Sequence, residues 1–288
     1  MIFKTFQTSS EFLAEVQAAL EANEAANNLM YGLALRLQRA PERIKIPPYF
    51  AIVRRKRELQ VAALMTPPHN LVVFSGNDDY SGEAFDLVAR NLRQNNWPVP
   101  GVLGPREAAL AFAKVWQQLS NQPYEMGMHE RVYELRKVIP PPQPSGQMRV
   151  VTTADLEIAT QWLYAFHLEA LPDELPSMEE ARETAEIKIG DQDLYLWEDG
   201  QPVAMAGRAR PTPNGCCIGP VYTPPELRGH GYATALTAGL SQIVLDSGKQ
   251  FAALFTDLSN PISNSIYQKI GYRPVCDFDL YTFRTAAY

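Results

Sequence analysis

The run from Gly219 to Gly248 constrains this chain more than any other stretch of it. Gly219 to Thr223 is short, apolar and β-prone, and Pro224-Pro225 ends it. Arg228, Gly229, His230, Gly231 and Ala233 follow as a glycine-rich turn, and an amphipathic helix is expected from Tyr232 to Ser247, closed by Gly248. The fold must therefore deliver a buried strand, a turn free to take positive φ and a helix N-terminus in series. The first amides of such a helix lack intrahelical partners, and the helix dipole makes that end attractive to a phosphate.

Two common phosphate motifs do not fit. The P-loop needs a Lys that is absent here, and the dinucleotide fingerprint fails in its last position at Tyr232-Ala233-Thr234. Arg228-x-x-Gly231-x-Ala233 does fit a third pattern, Gln/Arg-x-x-Gly-x-Gly/Ala. Downstream, Phe251 to Phe255 reads as a second buried strand, Asp257 to Asn260 as a polar turn, and Pro261 to Ile270 as a short helix ended by Gly271. Asn260, Tyr267 and the pair Gly271-Tyr272 lie along this segment, and Asp277 to Phe283 alternates as a last strand.

This series resembles the GNAT superfamily of N-acetyltransferases, at motif level from about Val150 to Arg284. The resemblance implies an α/β fold with a mixed sheet splayed between two central strands, and acetyl-CoA in the gap. It implies that Val221, Tyr222 and Thr223 line the pantetheine arm, with backbone pairing at Val221 and Thr223. The pyrophosphate is expected on the amides of Arg228, Gly229, His230, Gly231, Tyr232, Ala233 and Thr234. The family's reaction moves an acyl group from a thioester directly to an amine. Tyr267 is the expected proton donor to the departing thiolate. The Val221 amide is the expected donor to the thioester oxygen, and Asn260 is a helix cap or a pantetheine contact. For the acceptor amine the resemblance points to the segment after the first helix of this half, where Glu169 and Glu174 are the candidate bases. Each is also readable as a solvated carboxylate, and a water chain without a dedicated base fits the family too. His167 and Glu226 are weaker candidates. Arg208 and Arg210 read as solvated strand residues, to which a carboxylate-bearing acceptor would give a role.

Composition bounds the rest. With 288 residues, 46% hydrophobic and 20% charged, the chain has the size and make-up of two globular domains. No apolar run approaches the ~20 residues of a membrane span, and Met-Ile-Phe-Lys-Thr-Phe lacks a signal-peptide profile. A net charge of −6 without a dense basic patch disfavours nucleic acid and favours an amine substrate. Arg54 to Arg57 reads as a solvated turn. The three cysteines form no disulfide framework and have no metal-ligand spacing, so no metal site is expected and a cytoplasmic protein is.

Pro140 to Gly146 is the clearest linker. The half before it mirrors the half after it. Asn70 to Ser75, Ser81 to Asn95, Val99 to Leu103, Pro105 to Leu119 and His129 to Val138 match the later strand, helix, strand, helix and strand at a near-constant offset. Two tandem GNAT-like acyl-CoA N-acyltransferase folds are expected: residues 1–139 as a degenerate copy, 140–147 as linker, and 148–288 as the catalytic copy. The first copy carries Gly76-Asn-Asp-Asp-Tyr-Ser-Gly82 where donors to a pyrophosphate belong, so it is not expected to bind acetyl-CoA. The expected activity is transfer of an acetyl group to a primary amine of a small molecule or peptide, by a monomer or weak homodimer. A longer acyl-CoA donor and a non-catalytic acyl-CoA sensor are the alternatives.

Overall fold

Strand alternation and helix caps account for most of the local structure. The computed structural model describes residues 1–76, 82–170 and 177–284. The first series of elements is β1 (Ile2–Phe6), α1 (Ser9–Glu21), α2 (Asn28–Arg39), β2 (Tyr49–Arg55), β3 (Glu58–Met65), β4 (Leu71–Ser75), α3 (Gly82–Gln94), β5 (Gly101–Pro105), α4 (Arg106–Ser120) and β6 (Tyr124–Leu135). The second is β7 (Gln147–Val150), α5 (Leu156–Ala170), α6 (Met178–Gly190), β8 (Leu194–Asp199), β9 (Gln201–Ala209), β10 (Gly215–Tyr222), α7 (Tyr232–Asp246), β11 (Phe251–Asp257), α8 (Pro261–Lys269) and β12 (Arg273–Phe283). The second series repeats the first, element for element, as two copies of one fold must.

The chain forms two compact units. One holds residues 1–132, 257–259 and 275–288; the other holds 133–256 and 260–274. In the first unit the strands run in the order β1-β2-β3-β4-β5-β12. β4 and β5 are parallel and joined through α3, while β1 to β4 are antiparallel neighbours. Alternate residues of β2 feed opposite cores. Tyr49, Ala51 and Val53 pack with Phe85, Phe112 and Trp116 of α3 and α4. Phe50 and Ile52 pack with Phe12 and Tyr31 of α1 and α2. A capping box starts α1, with Thr8 accepting from the Glu11 amide and the Glu11 carboxylate accepting from the Thr8 amide.

β12 departs from the expected division at 139 and 148. Phe278 to Thr282 pair antiparallel with Pro105 to Gly101 of β5, within the first unit. Residues 133–138, expected in the first copy, group with the second unit. Charge fixes β12 in place. Asp279 is only 1% exposed, with Arg106 Nε at 3.3 Å and His129 Nδ1 at 2.5 Å, and Asp277 pairs with Arg106 and Arg131 at 2.7 Å each. Gly101 has no room for a side chain, since a Cβ there would meet the Tyr281 carbonyl at 2.5 Å.

In the second unit the strand order is β11-β10-β9-β8-β7. Leu194 and Leu196 of β8 face α5 and α6, packing with Ala159, Leu163 and Ala185. Tyr195 and Trp197 face α7, packing with Leu236 and Leu240. Arg149 of β7 grips Asp155 with two bonds of 2.7 and 2.8 Å and also bonds Glu198 of β8. Asp155 accepts from the Thr152 amide as well, and these contacts hold its carboxyl well below the usual range. One arginine thus fastens β7, the start of α5 and β8.

Candidate active site

The site begins where two parallel strands part. β10 and β11 pair at Gly215–Phe251, Cys216–Ala252 and Cys217–Ala253, although β10 continues to Tyr222 and β11 to Asp257. On its other side β10 stays paired with β9, but with a register shift between Ile218 and Val221, which match Arg208 and Ala206. β10 thus spends one more residue than β9 over this stretch, a β-bulge. Gly219 and Pro220 form it. Proline has no N–H to give the ladder, and the space around Gly219 is open where a Cβ would stand.

Past the strand, a single 3₁₀ turn at Pro225–Leu227 leads into the glycine turn. Gly229 and Gly231 have φ of +85° and +84°. No atom lies within 4 Å of a Cβ built on either. Crowding inside the protein therefore does not demand glycine here; the positive φ does. Gly231 is the N-cap of α7 and offers no side-chain acceptor to the first amides. The Arg228 amide donates to the Pro225 carbonyl at 3.3 Å, and among the described residues the amides from Gly229 to Thr234 have no backbone acceptor.

Arg228 does not reach outward. Its Nε donates to the Thr223 carbonyl at 2.9 Å, and Nη2 donates to both carboxylate oxygens of Glu169 at 2.7 and 2.9 Å. Arg228 thus pins the turn to the end of α5, and Glu169, read from sequence as a candidate base, is the other half of that pin. His230 stacks on Tyr232 with ring centres 5.6 Å apart, and its Nδ1 lies 3.2 Å from the Leu227 carbonyl. The Tyr232 hydroxyl donates to Asp199 at 2.9 Å, a partner that the sequence motif does not include. Ala233 and Thr234 are half-buried in the first turn of α7.

Val221, Tyr232 and Tyr267 pack on one apolar cluster that includes Ile218, Ala235 and Leu254. Tyr222 turns to the α5 face, its ring 6.1 Å from Trp162. Thr223 is buried, and its hydroxyl has no hydrogen-bond partner among the described residues. Asn260 caps α8, accepting from the Ser263 amide at 3.1 Å. Two turns further on, Tyr267 meets the Tyr272 ring edge-on at 6.0 Å. Burial pushes the Tyr267 phenol up to about 12, so it keeps its proton at neutral pH. Glu174 lies outside the described residues, and so do residues 77–81, which include the acidic turn of the first copy. Glu226 is exposed and His167 half-buried. Among the described residues no group of three His, Cys, Asp or Glu side chains is placed to hold a metal, and no helix is long and apolar enough to cross a membrane.

The family described as "Acetyltransferase (GNAT) family" matches residues 156–272. No curated protein sequence matches the chain. Solved structures resemble it along its length at low identity. A Drosophila protein of a structural genomics programme is 12% identical, covers 99% of both chains and has a TM-score of 0.71. A GCN5-related N-acetyltransferase from Sphaerobacter thermophilus is 16% identical, with 97% of this chain and 94% of its own aligned and a TM-score of 0.61. A tandem GNAT protein from the clavulanic acid biosynthesis pathway is 12% identical over 100% of both chains, with a TM-score of 0.59. Strand, bulge, glycine turn and capped helices all lie inside the matched segment, so residues 156–272 carry the match to the acetyltransferase (GNAT) family and the chain has the GNAT fold.

Proposed function

We propose that the second unit is the catalytic copy of an acetyl-CoA-dependent N-acetyltransferase, and that it acetylates a primary amine on a small molecule or peptide. One observation carries the reading. Two parallel strands part after three pairs, beside a helix start with two open, positive-φ glycines. Such an opening admits an extended arm between the strands, and the helix start receives a diphosphate on main-chain amides. The bare outer face at Gly229 and Gly231 and the orphaned Thr223 hydroxyl fit coenzyme A. Arg228 to Thr234 would hold its pyrophosphate, and Val221 to Thr223 with the Asn260 amide group would hold its pantetheine. When bound, the coenzyme supplies the activated acyl group and a thiolate leaving group.

The remaining work falls to residues of this chain. The Val221 amide, just past the bulge, serves as a donor to the charge that develops on the carbonyl oxygen. Tyr267, protonated by virtue of its burial, delivers the proton that the leaving sulfur needs. Glu169 shapes the turn through Arg228. Deprotonation of the amine falls to solvent or to Glu174. The first unit does not bind the coenzyme in the same way. Gly104 supports this: a Cβ there would meet the Val73 carbonyl at 2.7 Å, so β4 and β5 remain close one residue beyond their last pair at Val72–Leu103. Cys216, Cys217 and Cys276 are free thiols, in keeping with a reducing compartment such as the cytoplasm, and a monomer suffices for the site.

The test is thiol release from acetyl-CoA across amino acids, polyamines, aminoglycosides and peptide N-termini, beside calorimetric titration with coenzyme A. Release with some amine class and one coenzyme per chain is expected. Binding without release from acetyl-CoA, but with release from longer acyl-CoA, moves the donor preference. Binding with no release from any donor makes the protein a sensor.

A further inference from the structure

We infer that Tyr133, near the end of β6 and outside the matched segment 156–272, is a positioning residue for the proposed proton donor Tyr267, because it fixes the helix that carries it. This rests on the transferase reading above and adds a residue that reading does not contain.

α8, Pro261–Lys269, has nine residues. So short a helix is marginal by itself, and its place must come from tertiary contacts. None of its described side chains is buried, so apolar packing holds it weakly and polar contacts matter more. Tyr133 supplies two of them. It groups with the second unit, and its ring is 1% exposed, in the cluster that includes Ile270 and Tyr272 and on which Tyr267 packs. Its hydroxyl donates to Asn264 Oδ1 at 3.0 Å and accepts from Gln268 Nε2 at 3.3 Å. Asn264 Nδ2 in turn donates to the carbonyl of the N-cap, Asn260, at 2.7 Å. Positions 260, 264 and 268 are four apart and form one stripe along α8, with Tyr267 beside it, three residues after Asn264. One buried phenol thus grips successive turns of the helix.

The residues after Tyr133 hold the helix exit. The Ile139 amide donates to the Ile270 carbonyl at 2.9 Å. Gly271 has φ +109°, and a Cβ there would meet the Lys137 carbonyl at 2.6 Å, so glycine alone lets the two segments run this close. Just beyond, the Tyr272 amide donates to the Tyr267 carbonyl at 3.0 Å. The Tyr272 hydroxyl shares a hydrogen bond of 2.8 Å with Ser241, and its ring meets Tyr267 edge-on. Tyr267 is therefore fixed twice, through its helix by Tyr133 and through its ring by Tyr272. Proton transfer demands that the phenol stand within hydrogen-bond reach of the sulfur, and a displacement of ~1 Å costs ~10²-fold in rate. Tyr133 is buried, so it acts through Tyr267 rather than on the reacting atoms.

The experiment is Tyr133→Phe in the full chain, which keeps the ring and removes the hydroxyl. Single-turnover thiol release from acetyl-CoA, with an amine that supports release, is measured beside coenzyme A Kd and a thermal melt. The single-turnover rate should fall by ~10–10²-fold, while Kd stays within about twofold and Tm drops by less than ~6 °C. In the Tyr267→Phe background, adding Tyr133→Phe should cost less than about twofold, because both changes act on one proton transfer. Asn264→Leu breaks the same bond from the helix side; it should lower the rate alike, and it serves if Tyr133→Phe fails to fold. An unchanged rate in either folded variant, a loss confined to coenzyme A Kd, or an undiminished loss in the Tyr267→Phe background overturns the positioning role and leaves the transferase reading standing. An unchanged rate in Tyr267→Phe alone does the same. No release from wild type with any acceptor overturns both.

Discussion

Gly231→Ala separates what the glycine turn does for folding from what it does for binding. At φ +84° a Cβ costs about 1–2 kcal/mol relative to glycine. Nothing within 4 Å adds a clash to that cost. Gly248, at the far end of the same helix, has φ +91° and equally open surroundings, so Gly248→Ala carries the same strain. In a chain of this size 1 kcal/mol moves Tm by roughly 2–4 °C, so each variant should lose about 2–8 °C. Affinity should tell them apart. If the proposed coenzyme seat holds, the new methyl at Gly231 enters the space through which a phosphate reaches the amides. Loss of two charge-assisted hydrogen bonds, about 1.5–3 kcal/mol each, predicts a rise in coenzyme A Kd of ~10²–10⁴-fold. Gly248→Ala should leave Kd within about twofold. Isothermal titration of both variants beside thermal melts is the assay. Equal Kd values in the two, with equal melts, would refute a coenzyme seat at this turn.

Three further outcomes follow from the same geometry. Tyr267→Phe should lower kcat by ~10²–10⁴-fold with coenzyme A affinity intact; an unchanged single-turnover rate would remove the phenol from proton transfer. Because the folded phenol is raised from its ordinary value of 10.0 to about 12, its contribution to stability is complete below pH 10 and is lost as pH climbs toward 12; alkaline melts of wild type and Tyr267→Phe should diverge only in that window. Glu169→Gln should loosen the turn by weakening the Arg228 pin, raising coenzyme A Kd by about fivefold at most because the pair is half-exposed, whereas a loss of ~10³-fold in kcat at constant Kd would restore Glu169 as the base. Asp155, held low by Arg149, stabilises above its ordinary 3.8 and ceases to as pH falls through the lowered value; the Tm gap between wild type and Arg149→Met should therefore narrow steadily below pH ~4, and a gap independent of pH would show that the pair contributes through packing alone.

The sequence made the local chemistry of the second unit legible. Proline and glycine punctuate its elements: α7 was expected at 232–247 and runs Tyr232–Asp246, and α8 was expected at 261–270 and runs Pro261–Lys269. β10 was expected to start at Gly219 but begins at Gly215, because buried Cys216 and Cys217 extend the strand and Gly219-Pro220 forms a bulge within it. Two things were hidden for a physical reason. Ion pairs join residues far apart in the chain, so nothing near Arg228 announces Glu169 and nothing in Tyr232 announces Asp199. Period-two alternation marks 277–283 as a strand and gives its faces, but it carries no information about which edge accepts it; that choice depends on Arg106, His129 and Arg131 meeting Asp277 and Asp279. Arg210 read as a strand residue because its backbone turn depends on tertiary contacts rather than on local propensity.

The borrowing of β12 by the first unit sets an order of events during synthesis. Its β5 has a vacant edge until residues 278–282 have left the ribosome, after every other element of the chain. At ~5–20 residues per second that wait is roughly 10–30 s, in which an unpaired strand edge is open to wrong partners. Early ribosome exit thus does not mean early completion here: the half made first finishes its sheet last, and a stop codon ahead of β12 should spoil the amino-terminal half of the protein, not merely shorten the other.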